Sequence, residues 1–177
     1  MEAPSGPARL ALRMERWSIE VEKEYLKFSA AHFLIFPDGT AERLHGHNYR
    51  VYVALEARLS PHGLVLDFQH IKPLVRELVN ELDERWILPG RHPELSITPR
   101  ADGVVEVRYR ERYYAAPAAD VLVLPINNTS AENLATLLAG ELLTRLRVRY
   151  PELAVRALCF GVEETAGQRG VYRFESD

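Results

Sequence analysis

Residues 45–59 read His-Gly-His-Asn-Tyr-Arg-Val-Tyr-Val-Ala-Leu-Glu-Ala-Arg-Leu, the most regular apolar alternation in the chain. Every second residue from Tyr49 onward is apolar and lies on one face, whereas Arg50, Glu56 and Arg58 lie on the other. A period of two is typical of a β-strand that buries one face. The stretch therefore predicts a strand with one face in the core and the other in solvent.

Three further stretches predict strands. Trp17–His32 also alternates, but the alternation falls on odd-numbered apolar residues up to Val21 and on even-numbered ones from Leu26 onward. Such a change of face indicates a bulge within the strand. Residues 154–164 and 171–174 predict the last two strands, which are joined by a glycine-containing turn. The sequence thus predicts four strands in its main sheet.

Apolar residues at helical spacing predict a first helix after this second strand. Asp67 is positioned to cap it, but Pro73 lacks the N–H that a regular helix needs, so the expected start is Gln69 or His70. The apolar stripe comprises Ile71, Leu74, Val75, Leu78, Val79 and Leu82.

A second helix is predicted over residues 130–150, where leucines recur every four positions. Thr129 and Glu132 have the spacing of a capping box at its start. Between the helices, residues 95–114 predict a hairpin that turns at Asp102-Gly103.

This order of elements predicts the α+β class, an antiparallel sheet with both helices on one face. No linker or internal repeat divides the chain, so we expect a single domain over residues 17–177. Residues 92–120 are expected to be an insertion into it. Residues 1–16, rich in Pro, Ala, Gly and Arg, are expected to be a flexible leader.

The composition excludes several classes of protein. The chain has 177 residues, of which 47% are hydrophobic and 27% charged, and its net charge is −3. These values exclude a disordered or collagen-like chain and do not favour nucleic acid or an anionic membrane as partner. Cys159 stands alone, so no internal disulfide can form and a reducing, cytoplasmic location is expected.

Three of the six histidines are candidate metal ligands. His45 and His47 are two residues apart on a strand and leave the same face, and His32 ends the preceding strand. If the two strands pair, three imidazoles converge, which suits Zn²⁺ with a fourth position open for substrate. The alternative is that they are surface or packing histidines. Solvated positions are expected for His62, His70 and His92.

Several motifs together resemble the 6-pyruvoyl-tetrahydropterin synthase family, which includes the 6-carboxy-tetrahydropterin synthases. They follow the family's order and cover most of the chain from Tyr25 to Phe174. They are Phe28-Ser29-Ala30-Ala31-His32, His45-Gly46-His47-Asn48-Tyr49, Gly63-Leu64-Val65-Leu66-Asp67-Phe68, Leu82-Asp83, Thr129-Ser130-Ala131-Glu132-Asn133 and Val162-Glu163-Glu164-Thr165.

The resemblance implies the tunnelling fold, in which each subunit has a four-stranded antiparallel sheet with two helices on one face. Sheets of several subunits join edge to edge in a barrel, so a homo-oligomer, hexamer or trimer, is expected. A solvated barrel interior agrees with the polar face of the second strand.

The resemblance also implies the chemistry. The family binds 7,8-dihydroneopterin triphosphate, with Zn²⁺ held by His32, His45 and His47. Glu164 matches the glutamate that clamps the pterin, because a carboxylate can accept two parallel N–H bonds. Thr129 and Ser130 match the substrate-binding start of the second helix. An exposed strand glutamate is the alternative for Glu164.

The sequence differs from the family first at the residue that serves as catalytic base. Familiar members have a cysteine before the His-Gly-His segment, but residues 32–47 contain none. Glu42-Arg43-Leu44-His45-Gly46-His47 instead resembles a glutamate-type subgroup that makes 6-hydroxymethyl-7,8-dihydropterin. Glu42 is therefore the candidate base, and a solvated loop carboxylate is the alternative. Cys159 is expected to be a buried apolar residue.

The second departure is Asp83-Glu84, where the family has Asp-His. Asp83 is a candidate catalytic residue or, alternatively, only a helix-end residue. Glu84 could carry the proton in place of the histidine, or His70 or His92 could supply an imidazole.

Three functions therefore remain open. The first is a zinc-dependent lyase that cleaves the side chain of the pterin triphosphate. The second is a 6-carboxy- or 6-pyruvoyl-tetrahydropterin synthase, and the third is a pterin- or purine-binding protein without turnover. Arg108, Arg110 and Arg112 in the insertion are expected on a solvated strand face, unless one reaches the triphosphate of a neighbouring subunit.

Overall fold

The computed structural model describes residues 15–176, so nearly all of the predicted leader lies outside the described residues. The first strands are β1 (Trp17–His32) and β2 (His45–Ala57), followed by helix α1 (Phe68–Leu82) and strand β3 (Arg85–Pro89). The inserted strands are β4 (Ser96–Pro99), β5 (Val104–Tyr109) and β6 (Arg112–Pro117). The chain continues through β7 (Val121–Leu124), α2 (Ala131–Arg149), β8 (Val155–Thr165) and β9 (Gln168–Glu175).

The main sheet has six strands in the order β7-β3-β1-β2-β8-β9. Strand β1 pairs antiparallel with β2, β2 with β8 and β8 with β9, whereas β3 runs parallel to both β1 and β7. The predicted α+β class is correct, but the prediction of four antiparallel strands is wrong. Strands β3 and β7 are short apolar runs without alternation. The spacing of apolar residues therefore could not distinguish them from connecting segments.

The main core lies between this sheet and the two helices. Alternate residues of β2 and β8, including Val53 and Phe160, are buried against α1 and α2. All six residues of the predicted stripe on α1 are buried. The bulge in β1 is confirmed, because the β1–β2 register shifts between Glu22 and Lys27. Strand β2 ends at Ala57, so Leu59 lies outside it and is partly exposed.

Both helix starts differ slightly from expectation. Helix α1 begins at Phe68, where Asp67 Oδ1 accepts the N–H of Gln69 at 2.7 Å. It accommodates Pro73, which removes only one helical hydrogen bond near the N-terminus. Helix α2 is capped by Ser130, whose Oγ accepts the N–H of Asn133. The predicted capping box from Thr129 is therefore wrong, because that hydroxyl donates elsewhere.

The insertion is a three-stranded antiparallel sheet rather than one hairpin. The predicted turn at Asp102-Gly103 joins β4 to β5, and Gly103 supplies its positive φ of 80°. A second turn at Arg110-Glu111 joins β5 to β6. This second turn contains no glycine that could have predicted it from the sequence. Arg110 itself adopts the left-handed conformation, with a φ of 51°.

Buried residues of β5 form a second, smaller core with residues of β3 and of the segment after β1. The small core comprises Phe33, Ile35, Trp86, Leu88, Val105, Val107 and Tyr109. None of the helices within residues 15–176 is long and apolar enough to cross a membrane.

Candidate active site

The three candidate metal ligands meet where β1 and β2 pair. His32 lies opposite His45, and Ala30 lies opposite His47, so all three imidazoles leave the same face of the sheet. One ligand atom from each histidine lies within 4.8 Å of the others, a grouping that could hold a metal ion. The predicted convergence of these side chains is therefore present in the fold.

Backbone carbonyls orient two of the rings. His32 Nδ1 lies 3.2 Å from the carbonyl oxygen of Thr129, and His45 Nδ1 lies 2.7 Å from that of Arg43. A ring that donates from Nδ1 keeps its Nε2 lone pair free for a metal. His45 Nε2 and His47 Nε2 lie 3.0 Å apart, so both point into the same small space.

The environment of His32 fits a metal ligand. Its side chain is fully buried, and its Nε2 atom has no hydrogen-bond partner among the described residues. Burial lowers the pKa of His32, which favours the neutral imidazole that metals bind. The Glu164 carboxylate lies 3.2 Å from this nitrogen but forms no hydrogen bond with it. A buried nitrogen without a hydrogen bond is costly unless a ligand satisfies it, and a bound metal would do so.

Glu42 approaches the histidines from the loop between β1 and β2. Its Oε2 accepts the N–H of Leu34 at 3.1 Å and lies 3.9 Å from His45 Nε2. The backbone N–H of Glu42 donates to the carbonyl of Leu34 at 3.0 Å, so the loop closes on itself here. The side chain remains about one-third exposed, at 33%, and can therefore meet a substrate.

Glu164 lies on the same side of the sheet as the histidines. Its Oε1 atom is 3.2 Å from His32 Nε2 and 3.7 Å from His47 Nε2, and it accepts the Tyr49 hydroxyl at 3.1 Å. An irregularity in the β8–β9 register between Glu163 and Thr165 brackets this position. Sequence reasoning assigned Tyr49 to the core and missed this contact. Burial, reinforced by Glu164, raises the pKa of Tyr49, so its hydroxyl stays a donor.

Thr129 and Ser130 make contacts within the protein. The Thr129 hydroxyl is buried and donates to the carbonyl of Phe33 at 3.0 Å, while its own carbonyl accepts from His32. Ser130 caps α2. Thr129 therefore acts on the site through the orientation of His32, and direct substrate binding by either residue stays a prediction.

Asp83 and Glu84 lie at the end of α1, apart from Glu42. Asp83 Oδ1 accepts the N–H of Ser29 at 2.7 Å, and the backbone N–H of Glu84 donates to the carbonyl of Ser29 at 2.7 Å. Within residues 15–176, no hydrogen bond or ion pair joins Asp83 to Glu42 or the three histidines. Glu84 and His47 both line an open cavity of about 440 Å³. The catalytic roles of Asp83 and Glu84 both stay predictions.

The remaining candidates have other partners. His70 stacks on Tyr150, and His92 accepts the N–H of Glu94. A proton-carrying role for either imidazole stays a prediction. Cys159 lies opposite Ala54 on the sheet and is partly exposed. The expectation that it is buried is wrong, because its side chain faces away from the helices while its neighbours Leu158 and Phe160 face them.

The chain matches a known protein family over most of its length. The family model described as 6-pyruvoyl tetrahydropterin synthase matches residues 20–175. A protein of Methanocaldococcus jannaschii named putative 6-carboxy-5,6,7,8-tetrahydropterin synthase is 39% identical over 149 residues, which cover 84% of this chain and 90% of that protein.

Solved structures give the same result. The 6-pyruvoyl tetrahydropterin synthase of Plasmodium falciparum superposes with a TM-score of 0.85 at 25% identity, over 91% of this chain and 99% of that one. The Plasmodium vivax enzyme gives a TM-score of 0.85 at 26% identity, over 92% and 99% of the two chains. The chain belongs to the 6-pyruvoyl tetrahydropterin synthase family.

Proposed function

We propose that this enzyme acts on 7,8-dihydroneopterin triphosphate and releases 6-hydroxymethyl-7,8-dihydropterin. His32, His45 and His47 hold Zn²⁺, Glu42 is the base, and Glu164 clamps the pterin. The observation that carries the proposal is the position of the Glu42 carboxylate, 3.9 Å from His45 Nε2. The lone thiol of the chain, Cys159, lies on β8 and on the face of the sheet that points away from the helices.

A solved relative supports a carboxylate base. Two structures of the Plasmodium vivax enzyme carry alanine or cysteine in place of a glutamate that is called its catalytic residue. A carboxylate can replace a thiolate as base when it is within reach of the proton and partly shielded from water. Two observations support Glu42 in this role: its Oε2 atom lies 3.9 Å from His45 Nε2, and its side chain is only 33% exposed.

The proposed reaction assigns one role to each group. Bound Zn²⁺ would supply Lewis-acid polarisation of a side-chain hydroxyl of the substrate. Glu42 removes the proton of the C2′ hydroxyl, the C1′–C2′ bond breaks as the C2′ carbonyl forms, and the pterin ring takes up the electron pair. The proton that Glu42 has taken up then returns to C1′, which leaves the hydroxymethyl group on the pterin, and the C2′–C3′ fragment departs as a two-carbon aldehyde that carries the triphosphate. Glu164 fixes the ring by accepting two N–H bonds from its amino-pyrimidinone edge.

A second candidate is synthesis of 6-carboxy-tetrahydropterin. The names of the archaeal relatives favour it, including those from Methanocaldococcus jannaschii and Pyrococcus abyssi. Both functions use the same metal ligands and the same clamp. They differ in whether the C1′–C2′ bond breaks in a retro-aldol step or after proton shifts along the side chain. A third candidate, pterin binding with little turnover, is favoured by Glu84 in place of the family's histidine.

Product analysis separates the three candidates. The protein, purified without chelator, is incubated with 7,8-dihydroneopterin triphosphate, and the pterins are identified by mass spectrometry. Release of 6-hydroxymethyl-7,8-dihydropterin supports the proposal. A 6-carboxy or 6-pyruvoyl product supports the second candidate, and saturable binding without conversion supports the third.

The proposal also includes a cytoplasmic homo-oligomer, a hexamer or trimer. The support is that β7 and β9 end the main sheet and leave backbone groups without strand partners within the described chain. Edge-to-edge pairing of subunits would satisfy those groups. Light scattering coupled to size-exclusion chromatography tests this, and a stable monomer would contradict it.

A further inference from the structure

The inserted sheet contacts the loop that carries Glu42. The Tyr109 hydroxyl donates to the carbonyl of Gly39 at 2.9 Å in a buried contact. Arg112 Nη2 donates to the carbonyl of Ala41 at 2.6 Å, and its Nη1 donates to the carbonyl of Glu42. One end of the β5–β6 hairpin therefore holds three of the four carbonyls between residues 39 and 42.

These contacts complete the restraint of Glu42. The carboxylate and the N–H of this residue are already bonded to the backbone of Leu34. Its carbonyl is the remaining backbone group, and Arg112 takes it. The loop between Leu34 and Glu42 is a tight turn, closed by an isolated bridge between Ile35 and Ala41. Without Arg112, the Tyr109 hydroxyl would be the one remaining hydrogen bond among the described residues from the inserted sheet to this turn, and it reaches Gly39 rather than Glu42.

The chemistry of arginine suits this task. A guanidinium carries donors in a planar fork, so one side chain can bond two successive carbonyls in a fixed orientation. Lysine has a single ammonium centre and cannot reproduce that geometry. Arg112 is partly buried, and its guanidinium is engaged within its own subunit rather than free for a neighbour's triphosphate.

We propose that Arg112 is a positioning residue that fixes the Glu42 carboxylate beside the histidine cluster. This inference rests on the proposed role of Glu42 as the base. It gives the insertion a function in catalysis, although within residues 15–176 no hydrogen bond or ion pair joins the insertion to His32, His45 or His47. A displacement of about 1 Å in a reacting group can cost about a hundredfold in rate.

Arg112→Met, Arg112→Lys and the control Arg108→Met test the proposal in the full-length protein. Arg108 lies on the same inserted sheet, but its side chain is 61% exposed, pairs with Glu106 and lies over the Tyr113 ring. We expect Arg112→Met to lower kcat about tenfold to a hundredfold, while KM and zinc content stay within about twofold. Arg112→Lys should be intermediate, and Arg108→Met should match the unmodified enzyme.

A double variant separates positioning from general destabilisation. If Arg112 acts through Glu42, Arg112→Met should lower kcat no further in a Glu42→Gln background. Equal losses in both backgrounds would overturn the proposal. Hydrogen exchange measured by mass spectrometry gives a readout independent of activity. Exchange should accelerate in residues 34–42 of Arg112→Met and stay unchanged in β8.

The variants distinguish an error about Arg112 from an error about Glu42. If Arg112→Met matches Arg108→Met in both kcat and exchange, the positioning role is wrong even when Glu42→Gln is inactive. If Glu42→Gln keeps full activity, the proposed base is wrong, and the role of Arg112 falls with it. If Arg112→Met does not fold, Arg112→Lys carries the test, and a kcat equal to the unmodified enzyme would overturn the proposal.

Discussion

Replacing Glu42 with glutamine removes a proton acceptor while keeping the shape of the side chain. The amide oxygen of glutamine can still accept the Leu34 N–H, now bonded at 3.1 Å, and the backbone bonds of the loop do not change. We therefore expect the free energy of unfolding to change by no more than about 0.5 kcal/mol, the usual range for partly exposed sites. Zinc content should be unchanged, because Glu42 is not among the three proposed ligands.

The effect on turnover should be large. A positioned general base contributes about 10²–10⁴-fold to rate, which corresponds to about 2.7–5.4 kcal/mol at 1.36 kcal/mol per tenfold change. Single-turnover conversion of 7,8-dihydroneopterin triphosphate measures it directly. Thermal unfolding and metal analysis of the same preparation show whether the fold and the site survive.

A matched control is available on the surface. Glu94→Gln makes the same chemical change at a side chain that is 57% exposed and contacts Arg110. Its turnover should match the unmodified enzyme. Glu42→Cys should move the product toward that of the cysteine-type members, unless Glu84 blocks their chemistry. Full activity in Glu42→Gln would refute the assignment of the base and remove the main support for the retro-aldol product.

Three further outcomes test other parts of the site. Metal analysis of the unmodified protein should find roughly one Zn²⁺ per subunit. Substituting His32, His45 and His47 together by alanine should remove it, and zinc retention would contradict the ligand assignment. Glu164→Gln should weaken pterin binding by about 1.5–3 kcal/mol in calorimetry with zinc content retained, and unchanged affinity would place the clamp elsewhere. Thr129→Val should destabilise the protein by about 1–3 kcal/mol in chemical denaturation, because a buried carbonyl loses its donor, and an unchanged midpoint would show that another group satisfies it.

The parts of the fold that were predictable follow from local pattern. The alternation of β2 and the change of face in β1 are properties of neighbouring residues, and both appear in the structure. The histidine cluster was predictable for the same reason, since strand geometry fixes which side chains share a face. Sequence could place His32, His45 and His47 together before any contact was known.

The parts that were missed depend on partners distant in sequence. Strand β3 contains only five residues, and it is a strand because β1 and β7 lie on either side of it. Arg112 looks like a solvated strand residue, but its acceptors lie about 70 residues earlier, at Ala41 and Glu42. Thr129 has the spacing of a helix cap, yet the Phe33 carbonyl takes its hydroxyl and leaves the cap to Ser130.

The site is built where two apolar cores meet. The histidines stand on strands that bury their faces against α1 and α2, whereas the Glu42 loop rests on the small core with the inserted sheet. The chain passes from one core to the other between His32, at the histidine cluster, and Phe33, in the small core. Thr129 bonds both residues, His32 through its carbonyl and Phe33 through its hydroxyl, so it fixes the two cores to each other at the site. The candidate metal ligands and the proposed base are thus positioned by different packing. We therefore expect substitutions in the inserted sheet to disturb the Glu42 loop more than the three histidines.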